Sequence, residues 1–191
     1  MSQLPPTEPG VAEAAFGDVP TPAHRVYAHT PEIAQAYFNF GAACREFGTL
    51  PFRLVELVRL RVAFHNQCKL CMSMRYESED GESVDEVMVC SLEKPYEAPD
   101  LTDAERAALA YADLMAKDHL NIDEKIFAEL GRHLSTEQVM ELCFRVAGNV
   151  GFGRMAAVLD LVPQEDLPPE LRGDGIVSPW NVPGQHQPAS V

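Results

Sequence analysis

LVELVRLRVAFHNQCKLC, residues 54–71, is the stretch that decides the fold. Its apolar positions repeat with the period of an α-helix, and His65-Asn66-Gln67 then interrupts the pattern. We expect a further helix to begin around Cys68, with Cys71 in its first turn. The stretch therefore predicts a long helix that carries Glu56 and leads into a pair of cysteines at the start of the next helix.

The spacing of the two cysteines favours redox chemistry. A pair two residues apart can close a small disulfide when the second cysteine opens a helix. The free amide N–H groups and partial positive charge of a helix N-terminus favour a thiolate over a thiol. Arg75 follows Cys71 by four residues, which predicts a cation one turn along on the same helix face. Since the thiolate is the nucleophile, these residues predict a reactive pair.

Zinc binding is the alternative use of such a pair. A structural zinc site needs four ligands, and this pair supplies two, with His65 as a candidate third. Cys44, Cys90 and Cys143 stand alone among apolar neighbours and are expected to be core residues. We therefore expect no metal and no other cofactor. Two ordinary helical cysteines beside a surface arginine are the unreactive alternative.

Glu56, eleven intervening residues and the pair Cys68-x-x-Cys71 resemble the alkylhydroperoxidase D-like branch of the carboxymuconolactone decarboxylase family. Residues 54–63 are also similar to that family's helix before the motif, and the resemblance extends from about residue 27 to residue 111. It implies an all-α fold and assembly into a homo-oligomer, a trimer or a hexamer. It also implies that Cys71 attacks a hydroperoxide, Cys68 resolves the sulfenic acid to a disulfide, and Glu56 accepts the proton.

One position departs from the family pattern. The family usually has a relay histidine four residues after the second cysteine, where this chain has Arg75. Arginine cannot accept a proton at working pH, so the base would be Glu56, a water or His65. A capping or surface role is the alternative for His65, and an ion pair with Arg53 or Arg59 is the alternative for Glu56.

The sequence thus predicts an antioxidant thiol-dependent peroxidase or oxidoreductase. Its partners would be a small hydroperoxide and a reductant, either a dithiol protein or a small thiol. Two alternatives are a non-redox decarboxylase or lyase acting on a small carboxylated lactone, and a redox-sensing protein without turnover. The cysteine pair argues against the first alternative, and the missing histidine favours the second.

Composition limits the class of protein and its partners. The 191 residues are 46% hydrophobic and 23% charged, which is typical of one globular domain. A net charge of −14 argues against nucleic-acid or anionic-membrane partners. No run of about 18 apolar residues predicts a membrane span, and the first residues lack the features of a secretory signal. We expect a cytoplasmic protein, in which five cysteines with one close pair indicate redox chemistry.

The chain divides into three regions. Residues 1–22 are proline-rich and predict an extended arm. Residues 23–162 predict a single all-α domain, a helical bundle of the alkylhydroperoxidase D-like type. Residues 163–191 form a second proline-rich tail, which we expect to dock on its own domain or on a neighbouring subunit. That tail holds an apolar group that a solvated segment would not need: Ile176, Val177 and Trp180.

Capping patterns mark the helix starts. They lie at Thr30-Pro31, Ser83 with Glu86, Thr102 with Glu105, and Ser135 with Gln138. The last pattern opens a long helix that contains Gly148, Gly151 and Gly153. Because glycine is costly inside a helix, these three positions predict close helix packing, in which backbones approach each other, or a subunit interface.

Overall fold

Helices make up most of the described chain. The structure is a computed structural model that describes residues 2–17, 21–78, 80–173, 175 and 185–188, with the backbone alone at 164, 170 and 185–188. The predicted all-α class is confirmed, with two four-residue strands added at its margin. The elements are α1 (Pro9–Phe16), α2 (Pro22–Tyr27), α3 (Pro31–Glu46), α4 (Phe52–Asn66), α5 (Lys69–Ser73), β1 (Met74–Glu77), α6 (Glu86–Ser91), α7 (Asp103–Lys117), α8 (Glu124–Leu130), α9 (Thr136–Leu159) and β2 (Gln185–Pro188).

The central helix is α4, which packs against both α7 and α9. Leu57, Leu60 and Val62 are fully buried on it, and burying each such side chain stabilises the fold by about 1.5–3 kcal/mol. The helix ends at Gln67, whose left-handed φ of 52° lets its N–H bond back to the last turn. This turn places Cys68 directly after the most buried helix of the molecule.

Most of the predicted helix starts agree with the structure. Both side chains of the capping box are bonded at Thr102 with Glu105 and at Ser135 with Gln138. The helix α3 begins at Pro31, although the Thr30 hydroxyl makes no capping bond. The start predicted at Ser83 is wrong. Ser83 forms a β-bridge with Glu77, and the Asp85 carboxylate caps α6 instead by accepting the Met88 N–H at 2.8 Å.

The N-terminal region is more ordered than an extended arm. Pro9 and Pro22 each occupy the first turn of a helix, a position where proline is compatible with helical backbone. Ala12 of α1 is fully buried, so packing holds this helix on the domain. Residues 2–8 lie before it and are not helical. Their ends are fixed by the bond from the Gln3 N–H to the Leu159 carbonyl (2.9 Å) and by bonds between Thr7 and Arg25.

The C-terminal region meets the domain at two places. Two short 3₁₀ turns, Gln164–Asp166 and Pro169–Leu171, follow α9. Leu167, between the turns, and Leu171, at the end of the second, are buried in the core. Further along, β2 pairs in parallel with β1, with Met74 opposite Gln185. The predicted apolar group Ile176, Val177 and Trp180 lies outside the described residues.

Two of the three glycines in α9 lie at close contacts. A Cβ on Gly148 would come 3.0 Å from the Phe40 ring, and a Cβ on Gly153 would come 2.5 Å from Nδ2 of Asn66. Gly151 does not fit the prediction of close helix packing, because a Cβ there would meet open space. Tight packing within the chain therefore explains Gly148 and Gly153 but leaves Gly151 without a structural reason.

One face of α9 is apolar and exposed. Met140, Phe144, Met155 and Val158 expose between 38% and 73% of their area along this face. By length and composition alone, α9 is the helix among the described residues that could cross a membrane, and 22% of its most apolar stretch is buried. The packing of α9 on α4 accounts for its other face.

We expect Gly153→Ala to destabilise the protein by about 1–3 kcal/mol, because the new methyl group displaces Asn66 from its bond to the Asn149 carbonyl. Gly151→Ala is the matched control, and we expect it to stabilise α9 by up to about 1 kcal/mol. Urea unfolding at low protein concentration measures both variants. Equal effects of the two substitutions would contradict this account.

Candidate redox site

Cys68 and Cys71 form a disulfide in the structure. Their Cα atoms are 5.2 Å apart, within the range that a disulfide can span. Cys68 is the N-cap residue of α5, and its Sγ accepts the Cys71 N–H at 3.2 Å. Cys68 is 1% exposed, whereas Cys71 is only partly buried. Of the two sulfur-bearing residues, Cys71 is therefore the more accessible to a second molecule.

The local chain path fixes the position of Cys68. Its N–H donates to the Ala63 carbonyl at 3.2 Å, which holds it against the last turn of α4. Its side chain packs with residues from α2, α9 and the segment after α9: Ala23, Val26, Ala156 and Leu161. A small pocket of about 250 Å³ also lies beside Cys68, and its lining includes Gln3 and Leu167.

Glu56 lies inside an ion pair. It is 1% exposed, and its two oxygens accept hydrogen bonds of 2.7 Å each from Arg59. One of them also accepts the Tyr76 N–H at 3.1 Å. The pairing alternative considered from the sequence is thus realised with Arg59, while Arg53 pairs with Glu105. In this geometry both oxygens of the Glu56 carboxylate are bonded to the Arg59 guanidinium.

Arg59 connects Glu56 to the cysteine loop. Beyond the ion pair, its guanidinium donates to the Cys71 and Met74 carbonyls at 2.8 Å each, and it lies 4.7 Å from the centre of the Tyr76 ring. Burial alone would lower the pKa of Arg59, but the Glu56 carboxylate outweighs this and raises it. The sequence motif predicts no functional role for Arg59. The signal for its pairing is its position three residues after Glu56 on the same helix.

Arg75 is not on the same helix as Cys71. The expectation that it lies one helical turn beyond Cys71 is wrong, because α5 ends at Ser73 and Arg75 belongs to β1. Its guanidinium is buried, pairs with Glu86 at 2.9 Å and donates to the Met72 carbonyl at 2.7 Å. The chain leaves the helical path here because Met74–Glu77 pairs as a strand with β2. Arg75 thus connects α5, β1 and α6.

His65 faces α7. Its Nε2 lies 2.6 Å from the Asp113 carboxylate, which also accepts two hydrogen bonds from Arg61 at 2.6 and 2.8 Å. Burial alone would raise the pKa of Asp113, but the hydrogen bonds from Arg61 and His65 outweigh it and hold that pKa well below its usual range. Since Cys68 packs toward α2 and α9, the structure does not bring His65 together with the cysteine pair.

The other cysteines differ from expectation. The expectation that Cys90 is a core residue is wrong: Met88 and Val89 point into the core from α6, and Cys90 points outward and is exposed. Cys44 is partly exposed, whereas Cys143 is partly buried and packs against the core, as expected. Among the residues that the structure describes, no three His, Cys, Asp or Glu side chains are grouped as metal ligands.

Fold and site together define a helical protein with an internal Cys-x-x-Cys disulfide beside a buried glutamate–arginine pair. Residues 31–114, which include every candidate site residue, match the model of the carboxymuconolactone decarboxylase family. This region of the chain is therefore similar to the carboxymuconolactone decarboxylase family, in agreement with the resemblance seen in the sequence.

Comparison with curated proteins finds two similar proteins from Mycobacterium tuberculosis. They are the uncharacterized proteins MT2376 of strain CDC 1551 / Oshkosh and Rv2313c of strain H37Rv. Each is 30% identical over 125 residues, which is 63% of this chain and 43% of the relative. The chain thus spans less than half the length of the curated relatives that it matches.

Two solved structures share the fold. One is a protein of unknown function from Agrobacterium tumefaciens, described as a candidate antioxidant defence protein AhpD (TM-score 0.59, 22% identity, 69% of this chain and 90% of that one). The other is the alkylhydroperoxidase AhpD core of an uncharacterized peroxidase-related protein from Ralstonia eutropha JMP134 (TM-score 0.61, 22% identity, 85% and 92%). At this identity the likeness establishes the alkylhydroperoxidase D-like fold.

We expect Asp113→Asn to lower the free energy of unfolding by about 3 kcal/mol at neutral pH, because it leaves the buried Arg61 without its carboxylate. The folded pKa of Asp113 lies below its unfolded value, so the ion pair stabilises the fold above the ordinary carboxyl pKa. This contribution is lost as the pH falls through the folded pKa. Urea unfolding of both proteins from pH 7 downward checks it; a gap that grows toward acid would contradict it.

Proposed function

We propose that this protein is a thiol-dependent oxidoreductase whose Cys68–Cys71 pair cycles between dithiol and disulfide, with a small hydroperoxide as its oxidant. The observation that carries the proposal is the pair itself, at disulfide distance with Cys68 as the N-cap residue of α5. The partial exposure of Cys71 supports giving it the first step. The fold shared with the alkylhydroperoxidase core from Ralstonia eutropha agrees with this chemistry.

The proposed cycle has three steps. The Cys71 thiolate attacks one peroxide oxygen, the O–O bond breaks, and the alcohol leaves with a proton while Cys71 becomes a sulfenic acid. The Cys68 thiol then attacks the Cys71 sulfur, which releases water and closes the disulfide. Two thiol groups of an external dithiol or small thiol reduce the disulfide by exchange and become a disulfide themselves.

A redox-sensing role without turnover is the second candidate, and the contacts of three candidate site residues favour it. Glu56 is paired with Arg59, His65 with Asp113, and Arg75 with Glu86. Each of these side chains is therefore held by an oppositely charged or hydrogen-bonding partner. In this second reading the disulfide forms slowly in response to oxidants and no rapid cycle follows.

We expect hydroperoxide to convert the reduced protein to one carrying a Cys68–Cys71 disulfide. Cys71→Ser should abolish peroxide loss, because it removes the attacking sulfur, and Cys68→Ser should stop turnover after one equivalent. Alkylation and mass spectrometry of the peptides, with peroxide loss followed in the same sample, measures both. Cys90→Ser, which removes an exposed cysteine away from the pair, is the control.

The outcomes separate the candidate functions. Unchanged peroxide loss in Cys71→Ser would sink the peroxidase proposal. Disulfide formation without catalytic peroxide loss would favour the sensing role. The family's name also suggests a decarboxylase, and turnover of a small carboxylated lactone by a Cys68→Ala/Cys71→Ala variant would favour that class.

We also propose that the protein is cytoplasmic and assembles as a homo-oligomer, a trimer or hexamer, through the exposed face of α9. The support is the row of exposed apolar side chains on α9 and the open space at Gly151. Exposed apolar patches of several hundred Å² commonly mark interaction sites. The net charge of −14 disfavours an anionic membrane as the alternative cover for this face.

We expect Phe144→Glu to lower the oligomer mass, because Phe144 is 54% exposed at the middle of this face and a buried carboxylate there would lack a partner. Leu120→Glu is the control, since Leu120 is 86% exposed on a turn after α7. Sedimentation of the three proteins, with and without neutral lipid vesicles, measures the change. A wild-type monomer, or one that binds the vesicles, would contradict the proposal.

A further inference from the structure

The cation that the structure places at Cys71 is Arg59 rather than Arg75. Its Nη1 donates to the Cys71 carbonyl at 2.8 Å, and its Nη2 donates to the Met74 carbonyl at 2.8 Å. These two bonds, one to the middle of the short α5 and one to the residue that follows it, hold the loop that carries the disulfide. None of these contacts follows from the family motif, in which Glu56 is the residue that marks this part of α4.

Glu56 and Cys71 lie on different edges of the same guanidinium. Glu56 accepts hydrogen bonds from Nε and Nη2, while Nη1 is directed at the Cys71 carbonyl. The pair is buried, with side-chain exposures of 14% for Arg59 and 2% for Glu56, so solvent screens it weakly. Each member therefore compensates the charge of the other in a site that water reaches poorly.

We propose that Arg59 is a positioning residue of the redox loop, and that the Glu56–Arg59 ion pair sets the electrostatic environment of Cys71 as a unit. The inference rests on the proposed function in so far as Cys71 acts as a thiolate. The guanidinium attracts a negative sulfur on Cys71, and the carboxylate behind it reduces that attraction. Glu56 thus acts through Arg59, which differs from the free proton acceptor that the resemblance implies.

The other charged groups around the loop are held by different partners. On α5 itself Lys69 donates to the Gly173 carbonyl, on β1 Arg75 pairs with Glu86, and on α9 Arg154 donates to Asn66. On α2, Arg25 donates to the Thr7 carbonyl, and the His24 ring lies beside the Thr21 hydroxyl. Among the described contacts, the Glu56–Arg59 pair is the charged pair bonded to the Cys71 residue.

The proposed role of the ion pair can be distinguished from a base role for Glu56. If the pair acts as a unit, removing Glu56 and removing Arg59 should change the thiolate fraction on Cys71 in opposite directions. Glu56→Gln leaves the guanidinium uncompensated, so we expect a larger thiolate fraction on Cys71. Arg59→Gln leaves a buried carboxylate beside the sulfur, so we expect a smaller fraction. At a pH below the thiol pKa, alkylation of Cys71 should become about threefold or more faster in the first variant and slower by a similar factor in the second.

The experiment measures the rate of Cys71 alkylation against pH, by peptide mass spectrometry, in a Cys68→Ser background. Arg53→Gln is the matched control, because Arg53 lies on the same helix as Arg59 but pairs with Glu105 of α7. It should leave the Cys71 profile unchanged. Arg59→Lys keeps the charge and should restore most of the thiolate fraction lost in Arg59→Gln.

Two results would overturn the proposal: an unchanged or smaller thiolate fraction in Glu56→Gln, or an Arg53→Gln effect as large as that of Arg59→Gln. If Arg59→Gln fails to fold, the Glu56→Gln profile decides alone. The measurement uses no peroxide, so its failure is distinct from failure of the proposed function. Opposite shifts without peroxide turnover would support the ion-pair role and reject the peroxidase.

Discussion

A buried ion pair is stable only when both of its charges are present. The redox loop depends on one such pair, Glu56–Arg59. Removing one partner from such a pair costs about 3–5 kcal/mol, because the remaining charge stays buried without compensation. Arg59 therefore cannot leave Glu56, and from that fixed place it holds the carbonyls of Cys71 and Met74. The position of the disulfide follows from the position of this pair on α4.

The same constraint applies along the rest of α4. Arg53 reaches Glu105, and Arg61 reaches Asp113, both on α7, so two further ion pairs fasten the central helix to its neighbour. His65 joins the second of these pairs. Charged side chains of α4 that resemble catalytic groups in the sequence thus join this helix to α7. The proposed redox chemistry is thus left to the cysteine pair and the polar groups within reach of Arg59.

Local signals in the sequence predicted much of the fold and the pair, and long-range pairing accounts for what it missed. The capping boxes at Thr102 and Ser135 and the break before Cys68 involve neighbouring residues, so sequence spacing specifies them. The strand at Arg75 depends on pairing with residues 185–188, more than a hundred positions away. The partner of His65 lies 48 residues along the chain. Gly153 was explained and Gly151 was not, since spacing cannot tell which glycine faces Asn66.

The most direct test of the central claim is a redox titration of the purified protein in glutathione buffers of defined ratio, with each cysteine quantified by mass spectrometry. The account predicts one two-electron transition that converts Cys68 and Cys71 together from dithiol to disulfide. Cys44, Cys90 and Cys143 should take no part in an internal bond across the same range. A pair that stays reduced at the most oxidising ratio, or that forms only separate glutathione adducts, would contradict it.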